Sequence, residues 1–159
     1  MSLAIESIIN QYIKLQNLEA LEKMREHRQR LLDQCVDTAY FSVDLIRSTY
    51  LAELDAIDTG IAAFLGKPRG NLDNYSETRI SGWAQYSQRP DKRVPVNIYI
   101  NDERVGDVIA DRFRDDLLKA GIGDGHHAFQ FALPEGIYRP PLRLELRVGS
   151  QILKQVTID

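Results

Sequence analysis

The feature that most constrains this chain is a change of hydrophobic period near Gly66-Lys67-Pro68. From Leu3 to Leu65 there is no proline, Gly60 is the only glycine, and Leu, Glu, Gln, Arg, Lys and Ala dominate. Such a stretch favours helix almost throughout. After Thr78 apolar and polar residues alternate, as in strands with one buried and one wet face. The chain therefore reads as α+β. A long helix or helical hairpin of coiled-coil type comes first, then a linker marked by glycine and proline. An antiparallel β-sandwich with one short helix follows. The expected boundaries are 1–66, 67–77 and 78–159.

In the helical half, Val36, Tyr40, Val43, Arg47, Tyr50, Leu54, Ile57, Ile61 and Phe64 recur at alternating steps of four and three. That is a heptad seam, and its apolar members are the expected contact of a homo-oligomer. The same frame holds Ile5, Ile8, Tyr12 and Leu15, but between the two runs the apolar residues move to Leu18, Leu21, Met24, Leu31, Leu32 and Cys35. Either one helix carries a stutter, or two helices fold back near Gln34 to Thr38 with Asp37 as N-cap. A straight helix over this stretch would be roughly 90 Å long. Its stripe would then need a partner chain.

In the second half, strands are expected at Arg79–Tyr86, Val94–Asn101, Arg104–Ala110, Ala128–Leu133, Leu142–Gly149 and Ile152–Ile158. Asn101-Asp102-Glu103 and Gly149-Ser150 are turn signals for two hairpins. A core this small should draw on Trp83, Phe113, Phe129 and Phe131. Asn97, Tyr99 and Asn101 alternate with Val96, Ile98 and Ile100, so they form an outward polar and aromatic face, the best ligand surface in the pattern.

Other candidates reduce to structural roles. Asp111, Asp115, Asp116 and Asp124 lack the spacing of a calcium loop. Asp111 reads as the cap of a short helix, with Asp115 and Asp116 in its first turn. Adjacent residues of a strand face opposite ways, so His126 and His127 are not a ligand pair; one packs and one is solvated. Gly121-Ile122-Gly123-Asp124-Gly125 follows a helix and precedes a strand, the reverse of a nucleotide-binding loop. No cofactor or metal is expected. The charge-dense run Glu19 to Arg30 is a solvated helical face. A net charge of −3 speaks against a general nucleic-acid binder. No apolar run is long enough to span a membrane. Cys35 is the only cysteine, which fits a reducing, cytoplasmic setting.

Four blocks carry a resemblance: Gly82-Trp83-Ala84, Val96 to Val105, Ala110 to Leu117, and Gly121 to Phe129. Their series resembles the small immunoglobulin-like β-sandwich module appended to bacterial glycosyltransferases, sulfotransferases and other surface-polysaccharide proteins. The resemblance covers about residues 78–158. It implies an accessory, non-catalytic part and carries over no catalytic residue. The expected function is a non-enzymatic interaction or assembly protein that displays this module on a helical oligomer. A carbohydrate-binding module is the alternative, and an enzyme the remote one. The partners would be the chain itself and another protein or a saccharide.

Overall fold

A computed structural model describes residues 4–36 and 43–159. The chain divides into two compact units, Met1–Phe64 and Leu65–Asp159.

The first unit holds α1 (Ala4–Lys14), α2 (Leu18–Asp33) and α3 (Asp44–Leu65). Helices of 11 to 22 residues replace the expected long helix or coiled-coil-like hairpin. The first break has a local cause. Gln16 takes a left-handed conformation (φ 54°), and the Asn17 side chain accepts from the Ala20 N–H at 3.1 Å, capping α2. The shift of the apolar stripe after Leu15 thus marks the end of one helix and the start of another. The next helix boundaries are the end of α2 at Asp33 and the start of α3 at Asp44. Asp37 and most of the hairpin turn expected there lie outside the described residues.

The later part of the heptad seam, from Arg47 to Phe64, lies on α3. Val36 lies beyond α2 and is 67% exposed. Tyr40 lies outside the described residues. Val43, Leu54, Ile57 and Ile61 are buried within the chain, and Tyr50 and Phe64 are half-buried. The inward side of α3 meets α1 and α2 closely. A Cβ added at Gly60 would lie 2.6 Å from Ile9 Cγ2 and 3.8 Å from Leu21 Cδ1. Arg25 Nε donates to the buried Asp58 carboxylate at 2.6 Å, and Arg28 pairs with Glu53. Short helices can fold over one another where a rod could not, so much of the stripe has neighbours in its own chain.

The second unit is a sandwich of two four-stranded antiparallel sheets. Its strands are β1 (Pro68–Tyr75), β2 (Arg79–Tyr86), β3 (Val94–Ile100), β4 (Glu103–Ala110), β5 (Arg112–Phe113), β6 (His126–Ala132), β7 (Leu142–Val148) and β8 (Gln151–Ile158). One sheet has the order β1-β2-β6-β5 and the other β4-β3-β7-β8. The stretch expected as a linker is largely β1, paired with β2 from Pro68↔Tyr86 to Tyr75↔Ile80. Its polar residues point outward from an edge strand, which hides the period. Asp111 does not cap a helix. The short helix α4 (Asp115–Lys119) begins after Arg114, and Arg112–Phe113 form β5 instead.

Alternation decides what each sheet buries. Ile80, Ala84, Tyr86 and Phe129 point inward from one sheet; Val94, Val96, Ile98, Leu144 and Leu146 do so from the other. Gly106 on β4 packs under Phe131 on β6, where a Cβ would overlap the ring. Phe113 departs from the expected core, being 50% exposed on the short edge strand β5.

Candidate functional site

The outward face of β4-β3-β7-β8 contains the ligand surface expected from sequence. Asn97 and Tyr99 stand on β3, opposite Arg147 and Glu145 of β7 and Asp107 and Arg104 of β4. Glu145 is buried, yet both its carboxylate oxygens are engaged. Arg143 Nε donates to one at 2.8 Å and Arg147 Nε to the other at 2.7 Å. Asp102 pairs with Arg143 and lies 3.4 Å from Arg147 Nη2. The Arg143 guanidinium beside it holds the Asp102 carboxyl below its ordinary range. The Arg147 guanidinium lies 4.0 Å from the Tyr99 ring centroid, a cation–π contact.

Asn101 sits at the turn that closes the β3–β4 hairpin. Asn101 and Asp102 have φ of 51° and 68°, the left-handed pair that a two-residue hairpin turn requires. The Asn101 side-chain oxygen accepts from the Arg143 N–H at 2.9 Å, which ties the turn to β7. Asn97 is more enclosed than its alternation suggests. It is buried, and its Nδ2 has no protein hydrogen-bond partner. Glu145, Arg143 and Arg147 share a face by alternation, but nothing local in the sequence shows that β7 lies against β3. That pairing is a long-range event.

The outward face of the other sheet carries Trp83, expected in the core. Its neighbours Gly82 and Ala84 are the buried pair, and Trp83 is half-exposed between them. Asn71, Trp83, Ala128 and Arg112 form one row across the four strands. Arg69 lies 5.7 Å from the indole centroid and donates twice to Gln85 Oε1, at 3.1 and 2.7 Å.

The glycine-rich loop closes one end of this sheet. Gly121, Gly123 and Gly125 all have positive φ, as a tight helix-to-strand turn requires. Arg93 grips the Asp124 carboxylate with two donors, at 3.2 and 2.8 Å, and donates to the His126 carbonyl at 2.7 Å. That guanidinium holds the Asp124 carboxyl far below its ordinary range. His126 is exposed, whereas His127 is fully buried, so close beneath Gly123 that a Cβ there would strike its ring. Neither ring nitrogen of His127 makes a hydrogen bond of good geometry. Burial lowers its pKa from the ordinary 6.5; the Arg93 and His126 charges add to this, and Asp124, 3.6 Å from Nε2, opposes it.

This has a consequence for stability. The unfolded chain takes up the proton near pH 6.5, and the folded chain only at lower pH. Between those values the unfolded state binds more protons. The contribution of His127 is therefore complete above about pH 6.5 and is lost as pH falls toward the lowered value. The urea midpoint of the β unit is expected to drop from about pH 7 to pH 5. His127→Leu, which has no ring nitrogen to leave unpaired, should flatten that slope. An unchanged slope in the variant would assign the effect to another group.

Asp115 and Asp116 pair with different cations. Asp116 and Asp73 share Arg114, and Asp115 pairs with Lys119. Among the described residues no group of three or more His, Cys, Asp or Glu could hold a metal ion. Cys35 is a free, half-buried thiol 3.4 Å from the Leu31 carbonyl. Among the same residues no helix is long and apolar enough to cross a membrane. No protein-family model matches this chain, and no curated protein or solved structure is detectably similar to it.

Proposed function

We propose that the chain is a non-enzymatic interaction or assembly protein whose β-sandwich is an accessory recognition module. With β1 to β8 taken as A, B, C, C′, D, E, F and G, the sheets are A-B-E-D and C′-C-F-G. This order supports an immunoglobulin-like module. The resemblance of residues 78–158 adds a setting in bacterial surface-polysaccharide synthesis or modification. Display on a helical oligomer is not part of the proposal, because much of the seam is buried within its own chain.

One observation carries the recognition reading. The face built on Glu145, Arg143, Arg147 and Tyr99 is locked before any partner arrives. Side chains already held in one arrangement lose less entropy on binding. Ile109 and Ile152, 40% and 47% exposed, flank that charged centre on the same face. They supply apolar contact on either side of it. The carbohydrate alternative through Asn97, Tyr99 and Asn101 is less favoured, since Asn97 is buried and the Asn101 side-chain oxygen already accepts from the Arg143 backbone N–H.

A photoreactive residue at position 109 or 152 of the full chain tests this in the cell. Both positions should yield the same discrete protein adduct. Thr157→Arg, an exposed change on the same face, should reduce it about tenfold or more. No adduct from either position, or an adduct indifferent to Thr157→Arg, overturns the reading.

A further inference from the structure

Three arginines on the outward face of β1-β2-β6-β5 differ from most of their counterparts in this unit. Arg93, Arg104, Arg114, Arg143 and Arg147 each hold a carboxylate. Arg69, Arg79 and Arg112 are exposed, and among the described residues their hydrogen-bonding partners are neutral amides. Arg69 rests on Gln85. Arg112 and Arg79 converge on one oxygen, Gln130 Oε1, at 2.8 and 3.5 Å. A neutral acceptor does not cancel the repulsion between two guanidiniums. A carboxylate would, and it matches their planar donors. This face is thus locally cationic on a chain of net charge −3.

Trp83 lies amid these groups. Its cross-strand neighbour Ala128 has no side chain long enough to cover an indole. Arg112 is two strands away, about 10 Å at ordinary strand spacing. Asn71 and Gln85 complete the surroundings.

We propose that this face binds an acidic oligosaccharide, with a sugar ring laid on Trp83 and hexuronate carboxylates held by Arg69, Arg79 and Arg112. The C–H face of a pyranose suits an aromatic ring, and a hexuronate carboxylate suits the planar donors of a guanidinium. An acidic peptide would use the arginines but leave the indole unmatched. A nucleic acid needs a more extended basic surface than three arginines on a chain of net charge −3. The inference deepens the reading of the β unit as a recognition module but uses the opposite sheet, so either can fail alone.

Tetragalacturonate titrated into the isotope-labelled full chain tests it. The Trp83 indole N–H and the Arg112 Nε–H should shift together. A neutral galactose tetramer should bind about tenfold more weakly, and added salt should weaken only the acidic ligand. Trp83→Ala should reduce affinity about tenfold, with Trp83→Tyr recovering part of it. Arg112→Gln, on an exposed edge strand, should cost about fivefold and reduce the salt dependence. The proposal is overturned if tetragalacturonate leaves Trp83 unshifted. It is equally overturned if tetraglutamate or a single-stranded oligonucleotide of equal charge binds more tightly.

Discussion

Replacing both Arg143 and Arg147 with Met is expected to destabilise the β unit by about 3–5 kcal/mol. The Glu145 side chain is 4% exposed, and the two guanidiniums donate one hydrogen bond to each of its oxygens. Met keeps much of the aliphatic cover but removes the charge and the donors, leaving a carboxylate shut away from water. The opposite deletion should be milder. In Glu145→Gln the arginines still have Asp102, and both reach solvent, so about 1 kcal/mol is expected. Replacing all three with apolar residues, Arg143→Met, Glu145→Leu and Arg147→Met, should return stability to within about 1–2 kcal/mol of the parent. Urea unfolding followed by tryptophan fluorescence reads these values on the β unit, because Trp83 is the only tryptophan. Equal losses in the double Met variant and in Glu145→Gln would contradict the clamp.

Ile57→Asp is expected to unfold the helical unit. Ile57 is fully buried on α3, next to Asp58, whose carboxylate is already matched to Arg25. A second carboxylate there would be buried away from water, a change that costs about 4 kcal/mol or more. At roughly 0.05–0.15 kcal/mol per residue, a helical unit of this size has a total stability comparable to that cost. Circular dichroism should lose most of its helical signal. The Trp83 transition should keep its midpoint, since the sandwich buries its own set of side chains. A variant that retains full helicity would show that the side chain at 57 reaches water. Loss of both signals together would show that the units unfold as one.

Several features were legible because their causes are local. The absence of proline before Pro68 and the change of period after it separate a helical from a β unit. Alternation along β3 placed Asn97 and Tyr99 on one face, and the Asn101-Asp102 turn followed from residues that tolerate positive φ. The three loop glycines take left-handed conformations, which glycine adopts without strain. The break at Gln16 had a signal that periodicity masked: Asn17 is a helix N-cap, and a shifted stripe is ambiguous between a stutter and a reversal. Strand β1 had almost none, because an edge strand with a polar face resembles a linker.

By itself, then, the amino-acid order determined which residues share a face, where helix gives way to strand and where the chain turns. Those properties depend on dihedral preferences and on periods of two and 3.6 over a few residues. Only the tertiary structure decided what each face meets. It turned the stripe of α3 toward α1 and α2, set Trp83 outward and His127 inward, and laid the arginines of β7 on the glutamate between them and over Tyr99. Such outcomes depend on contacts between segments far apart in sequence, which no local pattern encodes.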